Sequence, residues 1–427
     1  MSFIKYFIFA ALAICVVWSC SKKQDPMPVS DNHAPVEEPI MEPEPVATVP
    51  PPSTGSGTDT SNPWISGNMC PEESDATART AFIQDEYIVV LENASKNQRM
   101  GNSHDRMRDV MRRANISTGS VHDYYERITG FSARMSADQA RQLADDPEVA
   151  FVEPDFILSL QQEDVNVETL TSTQHIPWGI RRVGGAGNGK GKTAWIMDSG
   201  IDMNHPDLAI DKRRSKSFVE GIESPDDDNG HGTHVAGTIA ALDNGIGVVG
   251  VAAGATVISV KVMNSEGKGR VSAIIKGIDY VAANGKAGDV VNFSIGGAGI
   301  SQSLERAVIN ASSKGIYFAM AAGNDAEYAC RNSPQRLNGN FLYTISAIDS
   351  TDRFARFSNF GNGPVDFAAP GVRVLSTWPG GKYAYSSGTS MAAPHAAGLM
   401  LLNGSNIKTS GFVRNDPDGV ADPIAHR

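Results

Sequence analysis

The stretch "KTAWIMDSGID" (residues 192–202) joins a run of apolar residues to Asp198 and to a glycine that permits a sharp turn. Three similar apolar runs follow it: "ATVISVKVM" (255–263), "VVNFSIG" (290–296) and "YFAMAAG" (317–323). Helical patterns separate the runs, after His231, around 272–283 and around 303–313. Strands that are apolar almost throughout are buried on both faces, and their alternation with helices predicts an α/β fold with a doubly wound, mostly parallel sheet. The functional site of such a sheet is expected at the carboxyl ends of its strands.

A smaller module is predicted upstream, over residues 82–160. Strands are expected at 86–91, in two parts of 121–135 and at 149–155, and helices at 103–114 and from Ser136 onward. Ser136, with Gln139 three residues later, matches a capping box. The order β-α-β-β-α-β is that of a small ferredoxin-like α+β module, which by itself indicates no function.

Residues 1–20 have the pattern of a signal peptide. Lys5 precedes the apolar run "FIFAALAICVVW" (7–18), which is too short to span a bilayer comfortably, so the protein is expected to be exported. The run ends in "VWSC" (17–20), which resembles the lipobox of bacterial lipoproteins, where an acylated Cys20 becomes the new N-terminus. Trp18 departs from that pattern, and a plain secretory peptide is the alternative. The protein is thus expected in the cell envelope (periplasm or outer membrane) on a lipid anchor, or secreted after processing.

Residues 21–80 have the composition of a disordered tether. Ten of the 23 prolines lie between Pro26 and Pro63, without hydrophobic periodicity. Such a segment cannot bury enough apolar surface to offset the entropy lost on ordering. The net charge of -11 argues against a nucleic-acid-binding surface, because phosphate recognition needs clustered Lys and Arg.

The chain has four cysteines, Cys15, Cys20, Cys70 and Cys330. If the signal peptide is removed and Cys20 is acylated, Cys70 and Cys330 remain. An exported protein can join them in a disulfide. The sequence does not show whether their Cα atoms come close enough, so a bond and two partly buried thiols both stay open.

Three positions could supply an acid, a base and a nucleophile. Asp198 ends the first apolar strand, His231 lies between two glycines in "DNGHGTHVAGTIAA" (228–241), and Ser390 lies at a predicted helix start in "SGTSMAAPHAAG" (387–398). Taken singly, the acid and the hydroxyl could each be a turn or helix cap. A hydroxyl is a poor nucleophile at neutral pH, so it needs an imidazole to take its proton and a carboxylate to fix the imidazole tautomer. The three residues together fit that chemistry.

Two further stretches could serve an oxyanion and an extended substrate. Asn324 follows a strand in "FAMAAGND" (318–325), and its side-chain NH2 can donate to a negative oxygen, although a lone Asn is also an ordinary turn residue. The glycines of "FSIGG" (293–297) either end a strand or leave its edge bare for a peptide.

Two other histidines could suggest a metal site. His234 lies one helical turn after His231, but the chain lacks the Glu and third ligand of an H-E-x-x-H site, so no metal site is predicted. His205, in "NHPDL" (204–208), is expected to be structural.

From about Ile176 to its end, the chain resembles the subtilisin-like (S8) serine peptidases, and the proteinase K branch in particular. The matching stretches are "IMDSGID" (196–202), "NGHGTHVAGT" (229–238), "AAGN" (321–324) and "SGTSMAAPHAAG", in the order Asp, His, Ser of subtilisin. The resemblance implies an endopeptidase that works through an acyl-enzyme. Asp198 would orient the imidazole, His231 would act as base and then acid, and Ser390 would be the nucleophile.

The resemblance also implies binding residues. Asn324 and the Ser390 backbone N–H would form the oxyanion hole. The implied substrate-binding residues are Ser294, Ile295, Gly296, Gly297, Ala321, Ala322 and Gly323.

Residues 83–158 resemble the inhibitor I9 propeptide, which assists folding and then blocks the cleft until it is cut, here between about 158 and 173. The domains implied are a propeptide over 82–160, a processing linker over 161–174 and a peptidase domain over 175–427, beginning with "HIPWGIRRV". The partners implied are polypeptide substrates, the chain's own propeptide as intramolecular inhibitor, and a membrane through the lipid anchor.

The resemblance implies no cofactor for catalysis. Structural calcium is common in the family, and the acidic run Asp226, Asp227, Asp228 would either hold such an ion or form a solvated turn. The branch often has a Cys at the position of Cys330, but its usual partner would fall near "GNGPVDF" (361–367), which has none.

Two other functions could be suggested for these residues. A catalytically silent envelope protein that binds peptides on the same fold is the alternative. A serine esterase of the α/β-hydrolase fold does not fit, because Ser390 lacks a G-x-S-x-G context and the acid precedes the His.

Overall fold

The computed structural model describes residues 80–93, 103–160, 163–168, 170, 173–297 and 299–427. All of them belong to one compact unit, Thr54–Arg427. The predicted signal peptide with Cys20, and the predicted tether apart from Thr80, lie outside the described residues. Within the described ranges, no helix is both long and apolar enough to cross a bilayer.

The described residues form seven α-helices and twenty strands. The helices are α1 (Ser103–Arg113), α2 (Ala137–Ala144), α3 (Trp178–Arg182), α4 (His231–Ala240), α5 (Val271–Asn284), α6 (Gln302–Ser312) and α7 (Thr389–Asn403). The strands up to α5 are β1 (Ala81–Leu91), β2 (Val121–Tyr125), β3 (Gly130–Arg134), β4 (Val149–Ser159), β5 (Glu163–Glu168), β6 (Gly187–Asn188), β7 (Thr193–Asp198), β8 (Ala209–Ile210), β9 (Lys216–Ser217), β10 (Ala252–Ala253), β11 (Thr256–Lys261) and β12 (Lys268–Arg270). The later strands are β13 (Val290–Phe293), β14 (Tyr317–Ala321), β15 (Leu342–Ile348), β16 (Val365–Pro370), β17 (Val374–Trp378), β18 (Lys382–Ser387), β19 (Lys408–Phe412) and β20 (Pro423–His426).

Strands β1 to β4 with α1 and α2 form the N-terminal module (residues 81–160), in the predicted order β-α-β-β-α-β. Its antiparallel sheet has the strand order β4-β1-β3-β2. The predicted capping box is present, because Ser136 Oγ accepts from Gln139 N (3.3 Å) and Ser136 N donates to Gln139 Oε1 (3.0 Å). Strands β1 and β4 are longer than predicted because they pair with each other up to Ala81 and Ile157, and β4 also pairs with β12.

The main domain (residues 173–427) is built on a large parallel sheet, which confirms the predicted doubly wound fold. Its strand order is β19-β20-β16-β15-β14-β13-β7-β11-β8, with β9 beside β11, and only β19 and β20 pair antiparallel. The four apolar runs of the sequence contain β7, β11, β13 and β14. Every residue of β7 is buried, as expected for a strand that is covered on both faces.

Helices cover both faces of this sheet. On one face, α4 and α7 pack against Ala194 and Ile196 of β7. On the other face, α5 and α6 pack against Trp195 and Met197 of the same strand. Successive side chains of a strand point to opposite faces, so β7 contributes to both cores. Its carboxyl end therefore lies between the two helix layers.

The N-terminal module docks on α5 and α6. Buried Asp155 accepts hydrogen bonds from Ser272 N (3.1 Å) and Ser272 Oγ (2.6 Å) at the start of α5. Glu153 accepts from Gln302 N (2.9 Å) and Ser303 N (3.3 Å) at the start of α6. Two carboxyl groups of the module thus cap two helices of the main domain by accepting hydrogen bonds from N–H groups at their first turns. The core on this face also includes Tyr125, Phe156 and Leu158 of the module.

Candidate active site

Asp198 and His231 meet at the carboxyl edge of the main sheet. Asp198 is the last residue of β7, His231 is the first of α4, and both side chains are fully buried. Gly230 turns the chain into α4 with φ 114°, a left-handed conformation that glycine adopts without steric cost. His231 Nδ1 lies 2.8 Å from Asp198 Oδ1 and 2.9 Å from Asp198 Oδ2. A carboxylate in this position favours the tautomer whose Nε2 can accept a proton.

The loop before α4 is held by Asp227. Its Oδ1 accepts hydrogen bonds from Ser199 Oγ (2.9 Å), Asn229 N (3.1 Å) and Gly230 N (2.9 Å). Its Oδ2 accepts from Thr233 N (2.9 Å) and Thr233 Oγ1 (2.6 Å). One carboxylate therefore ties the residue after β7 to the first turn of α4.

The rest of the acidic run is also engaged by protein groups. Asp226 Oδ1 accepts from Met203 N (2.9 Å), and Asp228 Oδ1 lies 2.6 Å from Nζ of the buried Lys261. A lysine ammonium at that distance competes with a metal cation for the same oxygen. In the part of the chain that the structure describes, no group of three or more His, Cys, Asp and Glu side chains is arranged to hold a metal ion. The acidic run is thus held by contacts within the protein.

Ser390 lies in the first turn of α7, after Gly388. Its Oγ donates to Ser294 O (3.2 Å), and Ser294 Oγ donates in return to Ser390 O (3.0 Å). His231 Nε2 is buried and has no hydrogen-bond partner among the described residues. Helices α4 and α7 pack against each other on one face of the sheet. The His231 imidazole and the Ser390 hydroxyl therefore lie on two helices that pack together, and the hydroxyl is directed toward Ser294.

Asn324 lies just beyond β14 and faces the start of α7. Its Oδ1 accepts hydrogen bonds from Thr389 N (2.9 Å) and Thr389 Oγ1 (2.8 Å). Thr389 Oγ1 itself accepts from Gly323 N (3.1 Å). Because its oxygen is held in this way, the NH2 group of the Asn324 amide is directed away from Thr389. The neighbour of Ser390 thus sets the orientation of the amide.

One contributor to the site was missed by sequence reasoning. Asn359 Oδ1 accepts from Asp325 N (2.9 Å) and Glu327 N (3.1 Å), and its Nδ2 donates to Ala322 O (3.0 Å). It therefore shapes the loop that carries Asn324. No local pattern marks Asn359, because its partners lie more than 30 positions earlier in the chain.

The predicted substrate-binding residues fall into two places. Ser294 and Ile295 follow β13 and are fully buried. Gly296 and Gly297 continue from them and are half-buried. The second place is the end of β14: residues 321–323 run from Ala321, the last residue of that strand, directly to Asn324.

The other two histidines have structural contacts. His234 Nε2 lies 3.0 Å from Val374 O and 3.1 Å from Ala384 O, and burial lowers the pKa of His234 to about 3. His205 Nε2 lies 3.0 Å from Lys382 O, and burial lowers the pKa of this imidazole as well. Each of these two rings is thus hydrogen-bonded to backbone carbonyl oxygens of the main domain, and neither is hydrogen-bonded to Asp198.

The chain's own residues lie along the Gly296 edge. Ser159, the last residue of β4, donates from N to Gly296 O (3.1 Å) and accepts at O from Gly296 N (3.3 Å). Leu160 N donates to Gly267 O (2.7 Å). The end of the N-terminal module therefore pairs in extended conformation with two backbone edges of the main domain, as a bound peptide would.

Beyond residues 161–162, which are not described, the chain continues as β5. This strand pairs antiparallel with β18, with Glu163 opposite Ser387 and Asn166 opposite Tyr385. Ser387 precedes Ser390 by three positions. Ser159 is thus paired with Gly296, and Glu163 is paired with a residue three positions before Ser390.

Comparisons with known proteins agree with this arrangement. The profile of the subtilase family matches residues 189–409, and that of the peptidase inhibitor I9 family matches residues 86–161. M-protease of Shouchella clausii (strain KSM-K16) is 38% identical over 314 residues, which cover 71% of this chain and 77% of that protein. Alkaline serine exoprotease A of Vibrio alginolyticus is 37% identical over 339 residues, which cover 75% of this chain and 60% of that protein.

A solved structure gives the same result. A cold adapted subtilisin-like serine proteinase superposes with a TM-score of 0.52 and 34% sequence identity, covering 58% of this chain and 97% of that one. With the fold, the family profile and these relatives in agreement, the chain belongs to the subtilase family of serine peptidases and carries an I9 inhibitor module ahead of its peptidase domain.

Proposed function

We propose that Asp198, His231 and Ser390 are the catalytic residues of this serine endopeptidase. The observation that carries the proposal is the buried contact of 2.8 Å between His231 Nδ1 and Asp198 Oδ1, beside α7, whose first turn contains Ser390. The contact prepares Nε2 to act as a base toward a hydroxyl.

The reaction begins with a rotation of the Ser390 side chain. Its Oγ leaves Ser294 O and turns to His231 Nε2, which takes the hydroxyl proton as Oγ attacks the peptide carbonyl carbon. The imidazolium, stabilised by Asp198, then gives this proton to the leaving amine, and the acyl-enzyme remains. A water molecule repeats the sequence in place of Oγ and releases the acid product.

The negative oxygen of the tetrahedral intermediate needs donors that are already in place. We assign this role to the Asn324 side-chain NH2 and the Ser390 backbone N–H. The bonds from Thr389 to Asn324 Oδ1 support the assignment, because they orient the amide before substrate binds. Catalysis by a subtilase requires no cofactor. A structural calcium ion at the acidic run would compete with Lys261 for Asp228 Oδ1, and we assign none there.

Substrate would bind as an extended strand along the edge that Ser159 uses. Pairing with Gly296 would supply main-chain hydrogen bonds regardless of sequence. A side chain would then lie over Gly297, as Leu158 does here, where a β-carbon would come within 2.8 Å of Leu158 Cδ2. This supports an apolar preference at that position, in keeping with the proteinase K branch that the Ser390 motif resembles.

We also propose that the zymogen cuts itself between Leu160 and Glu163. The pairing of Ser159 with Gly296 and of Glu163 with Ser387 supports this narrower window within the processing linker, since Ser387 precedes Ser390 by three positions. The domain boundaries at 160 and 175 remain predictions.

The test is the N-terminal sequence of the purified protein. Wild type should give a peptidase fragment that begins at residue 161, 162 or 163, and Ser390→Ala should stay intact. If Ser390→Ala is cut at the same bond without added protease, Ser390 is not the nucleophile of the cut. If the wild-type fragment begins at any other residue, the proposed cleavage between Leu160 and Glu163 is wrong.

The location of the enzyme is proposed from residues 1–20 alone. Export with acylation at Cys20 would hold it on the cell envelope, and labelled acyl chain should then enter wild type and not Cys20→Ala. The catalytically silent peptide-binding alternative has no observation in its favour.

A further inference from the structure

Cys330 is disulfide-bonded. It is the central residue of the short 3-10 helix Ala329–Arg331 and is half-buried. The chain has three other cysteines, Cys15, Cys20 and Cys70, and all of them precede residue 80. Within one chain, the bond must therefore join the main domain to a segment ahead of the N-terminal module.

Of the three candidates, Cys70 is the one that suits a mature exported protein. Cys15 and Cys20 belong to the predicted signal peptide, which is removed or acylated.

Thr80, the first described residue of the chain, lies close to the segment that contains Cys330. A β-carbon on Gly299 would lie 3.1 Å from Thr80 Oγ1. Gly299 is bridged to Asn332, and its O accepts a hydrogen bond from Ser333 N (3.0 Å). Asn332 is two positions from Cys330, and Thr80 is ten positions from Cys70. Ten extended residues span up to about 35 Å, so the chain is long enough to bring Cys70 to Cys330.

We propose that Cys330 and Cys70 form a disulfide that keeps the mature peptidase covalently joined to its own N-terminal module after self-cleavage. The inference rests on the proposed cut, because a cut between Leu160 and Glu163 leaves Cys70 on one fragment and Cys330 on the other. The S–S bond forms as two thiols lose two protons and two electrons. An oxidised dithiol oxidoreductase of the export compartment accepts both and becomes reduced.

The bond would change what activation means for this enzyme. Cutting the peptide bond would not free the peptidase from a lipid anchor at Cys20, since the tether would remain attached through Cys70. The inhibitory module would also stay at a high effective concentration beside the site, as a linked ligand does. Release would then need degradation of the module or reduction of the bond.

The test separates the disulfide from self-cleavage. A recognition sequence for a site-specific protease is inserted between Leu160 and Glu163 of Ser390→Ala, and the protein is exported, alkylated to block free thiols and cut. On a denaturing gel without reductant it should migrate as one species, and with dithiothreitol as two. Two fragments without reductant would overturn the proposal.

Matched variants identify the partner. Cys330→Ser and Cys70→Ser, each in the same background, should separate into two fragments without reductant, and Cys15→Ser should not. If Cys70→Ser remains joined, the assignment of Cys70 is wrong. The wild-type chain is examined beside them, and if it is not cut at all while the inserted site gives linked fragments, the proposed self-cleavage fails and the disulfide stands.

Discussion

At the scale of single residues, Asn324 combines two tasks that mutation can separate. Its oxygen anchors Thr389, and its NH2 is assigned to the oxyanion. We expect Asn324→Ala to lower kcat by roughly 10²–10³-fold, or about 2.7–4 kcal/mol in the barrier, the loss known for the corresponding donor of subtilisin, a member of this family. Steady-state kinetics on a peptide substrate would measure it.

Asn324→Asp is the control for this effect. It keeps an oxygen that can accept from Thr389 N but has no NH2 to donate, so it should lose kcat as well while its melting temperature stays near that of wild type. Full activity in Asn324→Asp would mean that the amide serves only to hold Thr389.

Asp227 is expected to matter for stability and for the position of His231. Asp227→Ala leaves five donors of the α4 loop without their acceptor. A hydrogen bond to a charged group is worth about 1.5–3 kcal/mol, so we expect at least that loss in unfolding free energy, together with a lower kcat. Asp226→Ala removes the acceptor of Met203 N alone and should cost less. Equal melting temperatures for the two variants would contradict this account.

The sequence indicates some of these residues and not others, for a physical reason. Asp198 and His231 stand out because a strand end and flanking glycines mark them locally. The bracing of Ser390 by Ser294 and of the Asn324 loop by Asn359 joins residues 96 and 37 positions apart. Such partners become visible only when the sheet brings them together.

At the scale of elements, the helix caps supplied by the N-terminal module respond to pH. Glu153 caps α6 by accepting hydrogen bonds from Ser301 Oγ (2.5 Å), Gln302 N and Ser303 N. Burial raises the pKa of Glu153 to about 7, and the hydrogen bonds from these donors oppose the rise without cancelling it. The docked carboxyl thus holds its proton more tightly than it would in a module released into water.

The sign of the pH dependence follows from this difference. Docking is strongest below the ordinary glutamate pKa of about 4.5 and weakens as pH rises toward 7. We therefore expect the cut module to leave the peptidase faster at pH 8 than at pH 5. Activity would be followed after incubation at each pH, with every assay at pH 8, in Cys330→Ser so that the disulfide does not limit release.

Glu153→Gln should make the release rate nearly independent of pH in this range, because the amide does not titrate. If Glu153→Gln retains the full difference between pH 5 and pH 8, another group governs release.

The elements that the sequence predicts well are those with a local signal. The four apolar strands, the order of the module and the capping box at Ser136 were expected and are present. The extension of β4 to Ser159 and the strand β5 were not expected, because their pairing partners in β12 and β18 lie more than 100 positions away. Neither segment has enough apolar periodicity to predict a strand by itself.

At the scale of the whole molecule, the N-terminal module and the main domain share one hydrophobic core. Phe156 and Leu158 of the module are buried with residues of α5 and α6, and β12 extends the sheet of the module. Composition alone does not show that β4 continues from the module to Gly296 of the main domain. The proposed self-cleavage needs this continuity, because it lays the end of the module along the edge that we assign to substrate.

The proposed mechanism depends most on Ser390 acting as a nucleophile that His231 activates. The direct measurement is covalent labelling of the processed enzyme with phenylmethylsulfonyl fluoride, followed by mass spectrometry of its peptides. We predict one sulfonyl adduct on Ser390, and at most a trace of it in His231→Ala that has been cut at a protease site inserted between Leu160 and Glu163, reduced and separated from its module. An adduct on another residue, or undiminished labelling of Ser390 in His231→Ala, would contradict the account.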